Sequence, residues 1–133
     1  MTDRKFKMLI PLAQTCMACS MCELGLKWAE KDGESHDPHV FSNFNPRRFM
    51  VVGQNPGWNE VLEKMPFVGE AGRNFDMEVE KHGLSRQDFY ICNAVRCWTQ
   101  GNSRPTAKHI DRCEPFLRME INLIKPKLVI ALG

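Results

Sequence analysis

The 133-residue chain has no apolar run near the roughly 18 residues of a membrane span. A transmembrane helix is thereby excluded. It has no internal repeat and no low-complexity tract, which excludes fibrous and largely disordered architectures. It has little net charge: +2 over the whole chain proves no nucleic-acid partner, and permits one only through locally clustered cations. The start, Met1 to Lys7, is charged. The apolar stretch behind it is short and interrupted by Pro11, so it does not read as a signal-peptide core. What is present is an ordinary globular balance, 43% apolar and 26% charged, consistent with one domain over residues 1–133. The expected setting is cytoplasmic. Six cysteines stand out there, because disulfides are uncommon in that compartment and thiols more often serve a metal or a reaction. The chain also finishes on an apolar run, Leu128-Val129-Ile130-Ala131-Leu132-Gly133.

Hydrophobic spacing gives a coarse map. Residues 5–30 read as a helical, cysteine-bearing segment, with Leu9, Ile10, Ala13, Cys16 and Met17 at helical intervals. Residues 31–48, polar and broken by Pro38 and Pro46, read as a long exposed loop that leaves His36 and His39 solvated. Residues 49–52 read as a strand ended by Gly53, and 57–66 as a second loop. Residues 69–82 read as a helix with Phe75, Val79 and His82 on one side and Gly83 just past its end. Residues 89–95 are a second strand. A long helix over 106–124 is capped by Thr106 and stopped before Pro126, with Ile110, Cys113, Leu117, Ile121 and Ile124 on its inner stripe. Residues 128–132 are a third strand. The strands are nearly continuous in apolar residues and separated by helices. This predicts a three-layer α/β/α fold around a parallel sheet buried on both faces. Ligands bind beyond the carboxyl ends of such strands. Gly53-Gln54-Asn55-Pro56-Gly57, the stretch from Asn93 to Arg96, and Gly133 therefore share one rim.

Cys16, Cys19 and Cys22 are spaced C-x-x-C-x-x-C, with Cys97 and Cys113 far downstream. A pair from the start plus the two distant thiols can make a four-thiolate site for zinc or for an iron–sulfur cluster. Position 26 is Leu, so the run is not that of a bacterial ferredoxin. Cys92, mid-strand, reads as a small buried hydrophobe. The glycines of Gly53-Gln54-Asn55-Pro56-Gly57 permit close backbone approach. Pro66-Phe67-Val68-Gly69-Glu70-Ala71-Gly72 opens a helix whose amino end suits a phosphate.

In combination these motifs resemble the family-four, iron–sulfur uracil-DNA glycosylases. The carriers are G-x-x-P-G, then P-F-V-G-x-A-G, then Tyr90 to Cys97, Asn102, Pro105, Cys113 and the closing Ile124 to Gly133. The resemblance runs from Cys19 onward. It implies a uracil-DNA glycosylase-like domain that flips uracil from single- or double-stranded DNA and hydrolyses its glycosidic bond to begin base excision repair. It implies a 4Fe–4S cluster on Cys19, Cys22, Cys97 and Cys113, with Cys16 as the spare or the alternative. Phe67 would stack on the base and Asn93 would read its edge. Gly53 and the Gln54 amide would line the pocket. Gly69, Gly72 and Arg73 would lie near the DNA backbone.

An aromatic face and an amide suit such a pocket, since a base must leave the stack to be cut. Preplaced donors would stabilise the departing uracil anion. Two departures stand out. Asn55 occupies the position where the fastest relatives carry Asp, so Asn55, with Gln54, is assigned the catalytic position as a water-orienting group and not a base. After Cys97 the usual Arg-Pro-Pro is replaced by Trp98-Thr99-Gln100. Trp98 could stack on a base or cover the cluster, and Arg96 and Arg104 could neutralise phosphates. No histidine is assigned to catalysis.

Two other readings compete with the glycosylase. One is a catalytically impaired iron–sulfur DNA-binding or scaffold module within a larger replication or repair protein. The other is a zinc-stabilised nucleotide-binding domain. In the resembling family the chain continues beyond residue 133 with another strand, helices and a His-Pro loop. The expectation is a domain lacking that C-terminal part, with one pocket wall missing, monomeric or part of a larger polypeptide or complex.

Overall fold

The computed structural model describes residues 2–132, with side chains from Arg4 onward; Gly133 lies outside the described residues. A small antiparallel hairpin, β1 (Ala29–Lys31) and β2 (Glu34–His36), precedes three parallel strands: β3 (Phe49–Gly53), β4 (Phe89–Asn93) and β5 (Leu128–Ala131). Their order is β4-β3-β5. The helices are α1 (Thr2–Met17), α2 (Trp58–Glu63), α3 (Glu70–Glu80) and α4 (Ala107–Ile124).

Strand residues alternate between two faces, and both faces of β3 and β4 are apolar. Met50, Val52, Tyr90 and Cys92 pack with Leu9, Ala13 and Cys16 of α1 and with Cys113, Phe116 and Ile124 of α4. Val51, Phe89 and Ile91 pack against Phe75 and Val79 of α3. The α/β/α layering expected from the pattern is present. Its handedness follows: the step from β3 to β4 through α3 and the return past β3 to β5 through α4 run in opposite directions. Right-handed crossovers then put the two helices on opposite faces.

Helix ends match their sequence signals. Thr106 Oγ1 accepts from His109 N at 3.3 Å. Gly83, at φ +73°, lets Leu84 N reach back to Val79 O at 3.1 Å, which is the usual glycine-terminated helix stop.

Five expectations need correction. The helical segment over residues 5–30 stops at Met17. Beyond it the chain turns back at Cys19 and makes only a short 3-10 turn, Glu23–Leu26. A Cβ on Gly25 would stand 2.2 Å from Cys19 O, so this folded-back path requires glycine. Residues 31–48 are no exposed loop. Asp32 and Gly33, both at positive φ, close the hairpin, and Val40, Phe41 and Ser42 are buried beside the free edge of β4. Val40 N donates to Arg96 O at 2.7 Å and Asn43 N to Ile91 O at 3.0 Å. The loop over 57–66 contains α2, because Trp58 and Val61 bury one face against Val40 and Trp98. Finally, β5 is not buried: Leu128 is 52% and Val129 44% exposed, as the edge strand of the sheet. Ile110 and His82 are likewise exposed, on the solvent sides of their helices.

Candidate functional site

At the carboxyl ends of β3 and β4 a cavity of about 290 Å³ is lined by Gly53, Gln54, Asn55, Phe67 and Asn93. These are the residues that the resemblance assigned to the base and, for Asn55, to the catalytic position, brought together from three segments. Gly53 O accepts from Ala94 N at 2.9 Å and Gln54 O from Val95 N at 3.0 Å, so the loops after β3 and β4 remain paired beyond the strands. Gly53 is indispensable in the packing. A Cβ there would lie 2.4 Å from Phe67 Cζ and 2.5 Å from Asn93 Oδ1, so the ring and the amide meet over a bare backbone.

Phe67 holds a left-handed backbone, φ +55°, which is strained for an aromatic residue. Three contacts fix it. Arg86 Nη2 donates to Phe67 O and Arg86 Nη1 to Pro66 O at 3.3 Å. Phe75 backs the ring, centroids 6.0 Å apart. Gly72 lies beneath, where a Cβ would clash with Phe67 O at 1.8 Å.

Glu60 was not singled out from sequence. Its Oε1 accepts from Gly57 N at 2.8 Å, and its Oε2 from Val68 N at 3.0 Å and Gly69 N at 2.7 Å. One carboxylate therefore ties the Gln54–Gly57 loop to the Phe67 loop. Its position three residues after Gly57 is a capping signal at the start of α2. Thr99 is also new: Asn55 Nδ2 donates to its hydroxyl at 3.1 Å.

The residues assigned to the DNA backbone divide. Arg73 is exposed. Gly69 N–H is taken by Glu60 and so is not free for a phosphate, and Gly72 is buried under Phe67. Trp98 is buried, with Nε1 donating to Asn102 Oδ1 at 2.7 Å and its ring on Trp58. It is not free to stack on a base. His39 is buried and bridges Asp37 Oδ1 at 2.7 Å and Cys19 O at 2.8 Å; it is not solvated. Arg104 is exposed, as expected of a surface cation.

Arg96 departs furthest from its expected role. It is 1% exposed and paired with fully buried Glu120, so it reaches no phosphate. Its Nε donates to Asn93 O at 2.5 Å and its Nη1 to Phe41 O at 3.1 Å and Glu120 Oε2 at 3.0 Å. Tyr90 donates its hydroxyl to the same carboxylate. Burial works against the guanidinium charge, but Glu120 outweighs it and holds Arg96 charged. Burial, and then Glu120, pushes the Tyr90 hydroxyl up and keeps it a donor.

The backbone N–H of Arg96 points the other way, to Cys113 Sγ at 3.4 Å. Cys16, Cys19, Cys22, Cys97 and Cys113 all line one small void of about 10 Å³, together with Gly25, His39 and Arg96. Met21 N donates to Cys19 Sγ at 3.5 Å. Among the described residues no three His, Cys, Asp or Glu side chains are gathered as for a single ion. Burial pushes the Cys16 thiol up to about 12, and raises Cys97 and Cys113. Without a metal these are inert protonated thiols.

Cys92 stands outside this void, fully buried in β4, as its mid-strand place implied. Burial pushes its thiol from 9.0 up to about 12. The fold favours the neutral form, so this contribution is complete below pH 9.0 and is lost as pH rises toward 12. Urea unfolding across that window is expected to show falling stability, with a shallower fall in Cys92→Ala. Parallel curves would contradict the assignment.

Residues 39–133 match the model of the uracil DNA glycosylase superfamily, and the chain belongs to that superfamily. Among its relatives, the type-4 uracil-DNA glycosylase of Thermotoga maritima is 38% identical over 86 residues, 65% of this chain and 45% of that protein. The type-4 uracil-DNA glycosylase of Archaeoglobus fulgidus is 30% identical over 122 residues, 92% of this chain and 58% of that protein. The chain thus spans about half the length of these curated relatives. A DNA polymerase of Bacillus phage SP01 is 26% identical over 105 residues, 71% of this chain and 11% of that protein.

Proposed function

We propose that this domain binds uracil flipped out of DNA and hydrolyses its N-glycosidic bond, and that its thiol void holds a 4Fe–4S cluster. The convergence of Gly53, Gln54, Asn55, Phe67 and Asn93 on one cavity carries the reading. The Phe67 ring supplies a stacking face for the base. The Asn93 amide supplies a donor and an acceptor together, so a base with the wrong edge leaves it unpaired. Bond cleavage leaves positive charge on the sugar and negative charge on uracil. The backbone N–H of Gln54, in the cavity lining, would meet the latter. Asn55 cannot take up a proton. With Nδ2 given to Thr99, its Oδ1 is left to accept from a water and aim it at the sugar.

The donor set fits the cluster. Five thiols line one void, and two of them accept backbone N–H groups, as cluster sulfurs do. Cys19, Cys22, Cys97 and Cys113 would hold it, with Cys16 the spare, in a reducing cytoplasmic setting. Once bound, the cluster supplies a crosslink between the chain start, the end of β4 and α4.

The test is release of free uracil from a uracil-containing oligonucleotide. Asn55→Ala is expected to lower that rate by roughly 10²-fold with the KM for DNA little changed. An undiminished rate would remove Asn55 from the chemistry. The likeness to a phage DNA polymerase over a small part of that protein favours a second reading, a cluster-bearing DNA-binding module of a larger replication protein. A brown protein that binds DNA and releases nothing would establish that second reading.

A further inference from the structure

We propose a second DNA-contacting surface at the edge of the sheet opposite the base pocket, a basic cleft that takes the phosphodiester backbone. Lys5, Arg47, Arg48, Lys125 and Lys127 line a concavity of about 180 Å³ with Pro46 and Ile124, and no acidic side chain lines it. Topology gathers them. Arg47 and Arg48 precede β3, and Lys127 precedes β5, with Lys127 N donating to Arg48 O at 2.7 Å. Lys5 and Lys125 meet them at the end of α4.

Arg86, Arg96, Arg118, Lys64 and Lys81 each have a carboxylate partner. None of the five in the cleft has one among the described residues. The net charge of the chain is only +2, so five positive charges here leave the rest of the molecule net negative. The cleft therefore gathers five positive charges with no acidic side chain in its lining.

Two of the five have a local task. Lys5 Nζ donates to Ile124 O at 2.6 Å, and Lys125 ends α4, where cations offset the helix dipole. Arg47 Nε also donates to a backbone carbonyl, Gln87 O at 3.0 Å, which leaves its terminal nitrogens, Arg48 and Lys127 without such a task. The cleft is at the amino ends of the strands and the base pocket at their carboxyl ends, about 16 Å away at roughly 3.3 Å per strand residue. It therefore contacts a different stretch of backbone from the one that carries the flipped base. Contacts of this kind carry no sequence information and keep a protein on DNA between targets.

The inference rests on the domain working on DNA, and its test is independent of uracil release. Anisotropy of a labelled uracil-free duplex is followed across a salt series. The triple variant Arg47→Gln/Arg48→Gln/Lys127→Gln is expected to bind at least tenfold more weakly. The slope of log K against log salt should fall by about 2 to 3, at about 0.9 per lost phosphate contact. The control Lys31→Gln/Lys81→Gln/Lys108→Gln removes the same charge elsewhere and is expected to lose much less. Equal losses in the two triples, or no loss in either, would overturn the proposal. If the triple is unstable, Arg48→Gln and Lys127→Gln alone should each lower the slope by about 0.9, and unchanged slopes would overturn it. A protein that releases no uracil yet shows the cleft-specific loss removes the glycosylase reading and leaves the cleft standing.

Discussion

Arg96→Met is expected to destabilise the domain by about 3–5 kcal/mol, because it leaves Glu120 buried without its counter-charge. That is a large part of the 5–15 kcal/mol that holds a typical domain together. Urea unfolding of the cluster-free protein measures it directly. The double variant Arg96→Met/Glu120→Leu removes both charges and is expected to recover most of the loss, since a packed apolar pair replaces an ion pair at little net cost. Stability and function should then separate. Arg96 Nε fixes Asn93 O at 2.5 Å, and Arg96 N holds Cys113 Sγ at 3.4 Å. The guanidinium anchor on Asn93 is absent from the double variant, while the backbone donor to Cys113 is kept. The expected outcome is a refolded protein with normal cluster absorbance and impaired uracil recognition. Full recovery of uracil recognition in the double variant would show that Arg96 only stabilises the fold.

Gly53→Ala is expected to act on the pocket more than on stability. The new methyl would meet the Phe67 ring at 2.4 Å and the Asn93 amide at 2.5 Å. Neither can yield freely. Phe67 is held by Arg86 and Phe75, and Asn93 is buried at the end of β4 with its carbonyl on Arg96. The stacking face and the edge-reading amide are pushed apart. A misplacement near 1 Å lowers turnover by about 10²-fold, while overpacking at one site lowers stability by about 1–3 kcal/mol. Uracil release and unfolding, measured on the same preparation, test the ratio. Release within twofold of the parent would show that Gly53 does not set the pocket.

The layered sheet and the rim on which the pocket lies were legible in the sequence for one physical reason. Parallel strands buried on both faces are apolar throughout, and their carboxyl ends point to one rim. Gly53 and Asn93 needed no coordinates to be placed together; Phe67 joined them only through the family resemblance. The burial of Arg96 was not legible, because it depends on Glu120, 24 residues away on the facing helix. Charge type alone assigned Arg96 to the surface. Residues 38–43 were misread because their strand-like pairing is to the edge of β4, and a short irregular segment carries no period of its own. Glu60 was hidden behind α2, whose six residues are too few for a helical stripe to stand out. The five thiols were legible as a set, but spacing did not say which of Cys16, Cys19 and Cys22 stands aside, and all three line the void.

The most direct test of the central reading is uracil release by protein purified with its iron. The expected result is a brown protein that frees uracil from a uracil-containing oligonucleotide and frees nothing from one carrying cytosine or thymine at the same position. Iron should be lost in Cys97→Ser and release should be lost in Asn93→Ala. A protein with its full iron that binds the uracil oligonucleotide and frees no base would contradict the account.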